Sequence, residues 1–151
     1  MEVGVDLEEH ALSPWLAEAD DFVLATTPEG GLETLPVKTV STGVFEICCV
    51  PFHAYDLDKG DRVTRDQSDV VNSVVAKSGD CGFRFKTDAD EDTIVRIVSV
   101  LEEHGATVEF KPTGGLVAVN APVGTDQELI SGVLATFEEA DYLVYETIRL
   151  A

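Results

Sequence analysis

Positive charge is scarce in this chain. Ten lysines and arginines stand against 29 aspartates and glutamates in 151 residues, a formal charge of -19. Such a field repels nucleic acid and anionic membrane and attracts basic partners. No apolar run approaches the roughly 20 residues that a membrane-spanning helix needs. The opening MEVGVDLEEH is acidic where a secretory leader would be basic and then greasy. These absences point to a soluble, cytoplasmic protein. The cysteines are Cys48, Cys49 and Cys81, an odd and sparse set that suits a reducing compartment. If Val44–Val50 is a strand, Cys48 and Cys49 point to opposite faces, which makes them poor zinc co-ligands and poor disulfide partners. Buried, inert thiols are the expectation.

What is present is a globular composition: 44% hydrophobic and 26% charged residues. The length suits one ordinary domain or two small subdomains sharing a core. Residues 1–80 carry a net charge of -11 and residues 81–151 carry -8, so the acidity is spread through both halves. General solubility, adaptation to high salt, and a surface made to meet a basic protein are all consistent with that spread.

In the first half, EVGVDL alternates Val3, Val5 and Leu7 and reads as a short strand. Ser13-Pro14 reads as an N-cap followed by proline at the first helical position, opening a short helix with Trp15, Leu16 and Ala19 as its apolar face. Phe22–Thr26, Leu32–Val40, Val44–Val50 and Val70–Lys77 read as strands, and Gly60-Asp61 as the turn entering a further strand, Arg62–Arg65. Turn signals separate them at Pro28-Glu29-Gly30-Gly31, Ser41-Thr42-Gly43 and Gly60-Asp61. Pro36 should confine its strand to a sheet edge or a bulge. The expected architecture of residues 1–80 is a small, curled antiparallel sheet or partial barrel.

Residues 81–151 are patterned more clearly. Phe83 and Phe85 alternate with Arg84 and Lys86, giving a strand with one apolar and one basic face. A helix capped by Asp88 or Asp90 follows, with Ile94, Val95, Val98 and Leu101 as its stripe and His104-Gly105 as its stop. Ala106–Lys111 and Leu116–Ala121 form strands around the hairpin signal Pro112-Thr113-Gly114-Gly115. Thr125-Asp126-Gln127-Glu128 reads as a capping box opening a helix with Leu129, Ile130, Val133, Leu134 and Phe137 on one side. Tyr142–Ile148 is the last strand. The order βαββαβ is that of a ferredoxin-like subdomain, a four-stranded antiparallel sheet with both helices on one face. The fold class is therefore α+β.

One succession of motifs resembles a known family. A glycine and alternating strand (Gly43-Val44-Phe45-Glu46-Ile47) leads to Pro51-Phe52 and then to Gly60-Asp61-Arg62-Val63. A valine-rich strand ending in Ser78-Gly79 and the strand Phe83-Arg84-Phe85 complete the series. In that order they resemble an uncharacterised bacterial family, domain of unknown function 4265, over about residues 20–148. The resemblance implies no activity, cofactor or catalytic residue.

No catalytic set, cofactor site or metal site is assigned from the residues. His53 lies close in sequence to Cys48, Cys49, Asp56 and Asp58, but the acidic surroundings raise a thiol pKa and oppose nucleophilic cysteine chemistry. Asp56, Asp58, Asp61, Asp66 and Asp69 lack the spacing and terminal glutamate of a calcium loop. His10, His53 and His104 are too far apart in sequence to suggest ligand spacing. Gly30-Gly31 and Gly114-Gly115 read as hairpin turns rather than phosphate cradles. The sheet face away from the helices, offering Arg84, Lys86, Thr107, Glu109 and Lys111, lacks the aromatics of an RNA-binding sheet. It is expected to pack against the acid-rich first half.

Two functional expectations follow. The first is a non-enzymatic, acidic interaction protein, monomeric or homodimeric, that binds a basic protein partner, as immunity proteins bind nuclease toxins through complementary charge. The second is a small-molecule-sensing or enzymatic domain with a pocket between the halves, lined by Phe52, His53, Tyr55 and Asp61.

Overall fold

The computed structural model describes residues 8–150. The strand expected over EVGVDL lies outside them. Two antiparallel sheets make up the fold, of five and four strands. The first is a meander of β1 (Asp21–Thr26), β2 (Leu32–Ser41), β3 (Val44–Ile47), β4 (Arg62–Arg65) and β5 (Val71–Ala76), paired in sequence order. It curls until its ends meet: Leu24 N–H donates to Asp69 O at 2.8 Å, and Leu24 forms a parallel bridge with Val70. Inside the curl pack Val23, Leu35, Val37, Phe45, Ile47, Cys49, Leu57 and Val63. The expected partial barrel is thus present, with Arg62–Arg65 as a full member.

Pro36 does not mark an edge. β2 lies between β1 and β3, and Pro36 sits opposite Phe22. Its carbonyl accepts from Cys48 N–H at 2.9 Å, but proline has no N–H to return to Cys48 O. The Ser13 hydroxyl donates to that carbonyl instead, at 3.3 Å. A side chain from the N-terminal segment thus completes the ladder and lets a proline occupy an interior strand. Ser13 opens no helix: Leu16–Glu18 is a single 3-10 turn.

The second sheet has the order β7-β8-β6-β9, built from β6 (Cys81–Lys86), β7 (Thr107–Phe110), β8 (Leu116–Ala121) and β9 (Val144–Thr147). Helices α1 (Glu91–Glu103) and α2 (Gln127–Glu139) give the βαββαβ order. The layer between helices and sheet is filled by Phe83, Phe85, Ile97, Leu101, Val117, Val119, Ile130 and Leu134. Asp90 caps α1 by accepting from Thr93 N–H at 2.8 Å, and Gly105 just after it adopts φ +91°.

Two helix details differ from expectation. Ile97 and Leu101 are the buried positions of α1, while Val95 is 57% exposed. The cap of α2 is Asp126, accepting from Leu129 N–H at 3.0 Å, and Thr125 donates its hydroxyl to Pro122 O instead. A carboxylate one residue later outcompetes the hydroxyl for the same orphan N–H groups.

The open face of the second sheet meets the first half. Val50, Phe52, Ala118 and Ile148 form a third apolar cluster there, with Trp15 and Leu116 against it. Gly82 lets the two halves approach closely at this seam: a Cβ on it would lie 2.6 Å from Ile148 Cδ1 and 3.1 Å from Asp58 Oδ1, so the buried Ile148 would have to shift.

Candidate functional site

The seam between the sheets is dense in buried charge, and each charge is partnered. His10, on a turn of the N-terminal segment, is fully buried. Its Nε2 lies 2.9 Å from Glu33 Oε2, and its Nδ1 is bonded to Glu109 Oε2. Phe52 stacks on the ring with centroids 4.6 Å apart and planes at 16°. Glu33 comes from β2 and Glu109 from β7, so one imidazole ties the N-terminal segment to both sheets.

Backbone amides hold the carboxylates in place. Glu33 accepts from the N–H groups of Phe52 (2.7 Å), His53 (2.9 Å) and Ala54 (2.9 Å). Glu109 accepts from Val50 N–H at 3.3 Å. Burial opposes charge on His10, but Cys49 and the two glutamates outweigh it and raise the imidazole pKa far above its ordinary value. Burial pushes Glu33 up as well, yet His10 and the backbone donors prevail and hold it below the usual carboxylate range. Glu109 has fewer donors, so burial wins and its pKa is raised.

A second cluster centres on Arg84 of β6. Its side chain is 3% exposed and its Nε lies 2.6 Å from Glu146 Oε2. The same guanidinium donates to the carbonyls of Pro51 (3.1 Å), Ala54 (2.9 Å) and His53 (3.3 Å), and it lies 4.4 Å from the Tyr55 ring centroid. The Tyr55 hydroxyl donates to Glu146. A third cluster joins Asp58 and Asp61, both fully buried, to Lys77 and Arg149. Asp58 accepts from Gly82 N–H at 2.8 Å and Asp61 from Ser78 N–H at 2.9 Å. Arg84 and Glu109, read from the sequence as one polar sheet face, therefore serve as the internal glue of the seam.

The four residues expected to line a pocket are distributed differently. Phe52 is buried against His10 and the seam cluster, and Asp61 is enclosed by its own loop and Lys77. His53 is half-buried, its Nε2 2.8 Å from Glu9 Oε2. Tyr55 borders a groove of about 460 Å³ with Glu138, Tyr145, Glu146, Thr147, Arg149 and Leu150, where the halves meet. A larger cleft of about 850 Å³ lies within the second half, between Lys86–Asp88, Gly114-Gly115 and the segment from Glu138 to Val144.

Cys49, His10 and Glu33 are the residue types of a thiol hydrolase, but their geometry does not serve that chemistry. Cys49 is 0% exposed and burial pushes its thiol up to about 12. Both ring nitrogens of His10 already face carboxylates, so neither holds a lone pair ready to take a proton. Cys48 is likewise raised by burial, to about 11, and all three thiols are free.

The sequence reading placed Glu109 on a face that packs against the first half, but its meeting with His10 and Glu33 escaped it because the three are distant in the chain. One signal was available for Glu33: it is in phase with Leu35 and Val37, which point into the barrel.

A family model described as "Domain of unknown function (DUF4265)" matches residues 33–145. The chain belongs to this family. The matched stretch contains Glu33, Cys49, Phe52 and Glu109, while His10 lies upstream of it. No curated protein matches the chain. Among solved structures it is similar to one titled "Novel crystal structure of a hypothetical protein from Neisseria gonorrhoeae", at 22% identity and a TM-score of 0.67. That similarity covers 86% of this chain and 93% of the other, and it shows a shared fold.

Proposed function

We propose that this DUF4265 protein is a non-enzymatic interaction protein whose helix layer binds a basic protein partner. The observation that carries the reading is the charge of that layer. Residues 88–103 and 126–141 hold eleven acids against the single cation Arg96, and all but Glu138 of the eleven are exposed. Elsewhere six of the nine remaining cations, Arg62, Arg65, Lys77, Arg84, Lys111 and Arg149, form ion pairs within the chain.

The position of the acids matters as much as their number. Acids near the start of a helix favour its positive end, as Glu91 and Asp92 do in α1. Glu102, Glu103, Glu138 and Glu139 instead crowd the C-terminal turns, where neither helix has a basic residue. A charge set against the macrodipole there costs roughly 0.3–1 kcal/mol at low ionic strength. Glu138 is held by the fold, accepting from Tyr145 N–H at 2.9 Å. Fold stability does not account for Glu102, Glu103 and Glu139, whereas a surface that steers a cationic partner does. Val95 and Leu129, 57% and 44% exposed, supply apolar contact amid the acids.

Within this reading, a toxin-neutralising immunity protein is the class we favour, acting in the cytoplasm, where three free thiols would persist. No helix among the described residues is long and apolar enough to cross a membrane. The test is affinity capture from the native host at low and high salt. A basic partner retained at low salt and released by salt supports the reading. Failure to retain one, or retention indifferent to salt and to reversal of Glu102, Glu103 and Glu139, overturns it.

A second reading has one observation in its favour. The groove beside Tyr55 is walled by both halves and offers Arg149, Glu146 and Tyr145 to a small ligand. A metabolite that raises the melting temperature, and loses that effect in Arg149→Ala, would favour a sensor instead.

A further inference from the structure

We propose that Glu33, Glu109 and Phe52 form a binding cage for a planar nitrogen cation of imidazole size, which His10 fills as a tethered ligand and which a free cation of that class can fill once that ring is removed. The walls owe their positions to groups other than His10. Three backbone N–H groups fix Glu33, Val50 N–H fixes Glu109, and Phe52 is packed against Val50, Ala118 and Ile148. The ring contributes none of these anchors, so the cage is preorganised around it.

The chemistry of the walls specifies the occupant. Two carboxylates on opposite sides of one ring call for N–H donors pointing in two directions. A stacked phenyl face calls for a flat cation between them. An imidazolium meets both demands, and a metal ion would meet neither the stacking nor the spacing of two donors across a ring. Emptied, the cage would hold two buried carboxylates with no counter-charge, a costly arrangement that favours uptake of a cation. The tether is also separable in sequence. Every wall residue lies within the matched stretch 33–145, and the ring enters from a segment upstream of it.

The test is His10→Gly with imidazole added back at neutral pH, followed by calorimetric titration and thermal unfolding. Imidazole is expected to bind the variant saturably and to raise its melting temperature, while leaving the wild-type protein unmoved. 1-Methylimidazole, which lacks one N–H, should bind about tenfold more weakly, the worth of one hydrogen bond. If the variant does not fold alone, recovery of its far-UV circular dichroism on adding imidazole becomes the readout. A folded variant without saturable binding, equal binding of the two imidazoles, or an unfolded variant that imidazole does not restore would each overturn the proposal.

Discussion

The seam and the helix layer use the same residue types to opposite ends. At the seam, Glu33, Asp58, Asp61 and Glu109 are buried and each accepts hydrogen bonds from backbone, cation or both. On the helix layer, ten of the eleven acids are exposed, and Arg96 is the one lysine or arginine among them. Buried carboxylates are tolerated only with full partnership, because an unpaired charge in a low-dielectric interior is strongly destabilising. Exposed ones are cheap, screened by water and salt. A net charge of -19 therefore conceals two populations, one that holds the halves together and one that faces solvent.

Substitutions sharpen this contrast. The largest effect should come from Glu33→Ala, which strands three backbone donors and the His10 ring at once. A loss of about 3–5 kcal/mol is expected, read from urea unfolding. A loss under about 1 kcal/mol would mean the seam is wet and the contrast overstated. Next comes Arg84→Met, which keeps much of the volume but abandons the carbonyls of Pro51, His53 and Ala54. About 2–3 kcal/mol should be lost, in line with several buried acceptors left unsatisfied.

The pH dependence has a definite sign. Glu33 has a folded pKa below its ordinary 4.5, so it stabilises the fold above that value, and the contribution is lost as pH falls through the lower, folded pKa. His10, with its pKa raised, stabilises fully below its ordinary 6.5 and loses that contribution only as pH rises through the higher, folded value. In Glu33→Gln the fall of melting temperature below pH 4.5 should be shallower than in the wild type. An unchanged acid limb would show that some other carboxylate controls it.

The smallest effect on stability, and of opposite sign, belongs to the helix layer. Replacing Glu102, Glu103 and Glu139 together by lysine should raise stability by roughly 1 kcal/mol at low salt, since each change complements a helix C-terminus. The same triple variant should lose affinity for a basic partner. Destabilisation by these changes would break the comparison at its exposed end.

Much of the second half was readable because local rules and tertiary demands agree there. Phe83 and Phe85 alternate, Asp90 caps, and Gly105 stops a helix, each a decision made within a few residues. Where the reading slipped, a distant group intervened. Pro36 sits in an interior strand because Ser13, 23 positions earlier, supplies the missing donor. Val44–Val50 leaves the sheet after Ile47 because Cys48 stands opposite Pro36, which has no N–H to return to it, and Val50 N–H then turns to Glu109. Phe52 and His53 entered the candidate pocket as neighbours of one loop, but one faces the core and the other solvent-side Glu9.

Alternation, caps and turn residues, all short-range, were enough to set two sheets, two helices and their order from the chain alone. The resemblance to the family was legible in the same way, as a succession of local motifs. Tertiary structure alone decided that His10 would meet Glu33 and Glu109, 23 and 99 positions away. Burial of a charge depends on which surfaces come together around it, and the energy that keeps it there belongs to all its partners jointly. No window of neighbouring residues contains that information.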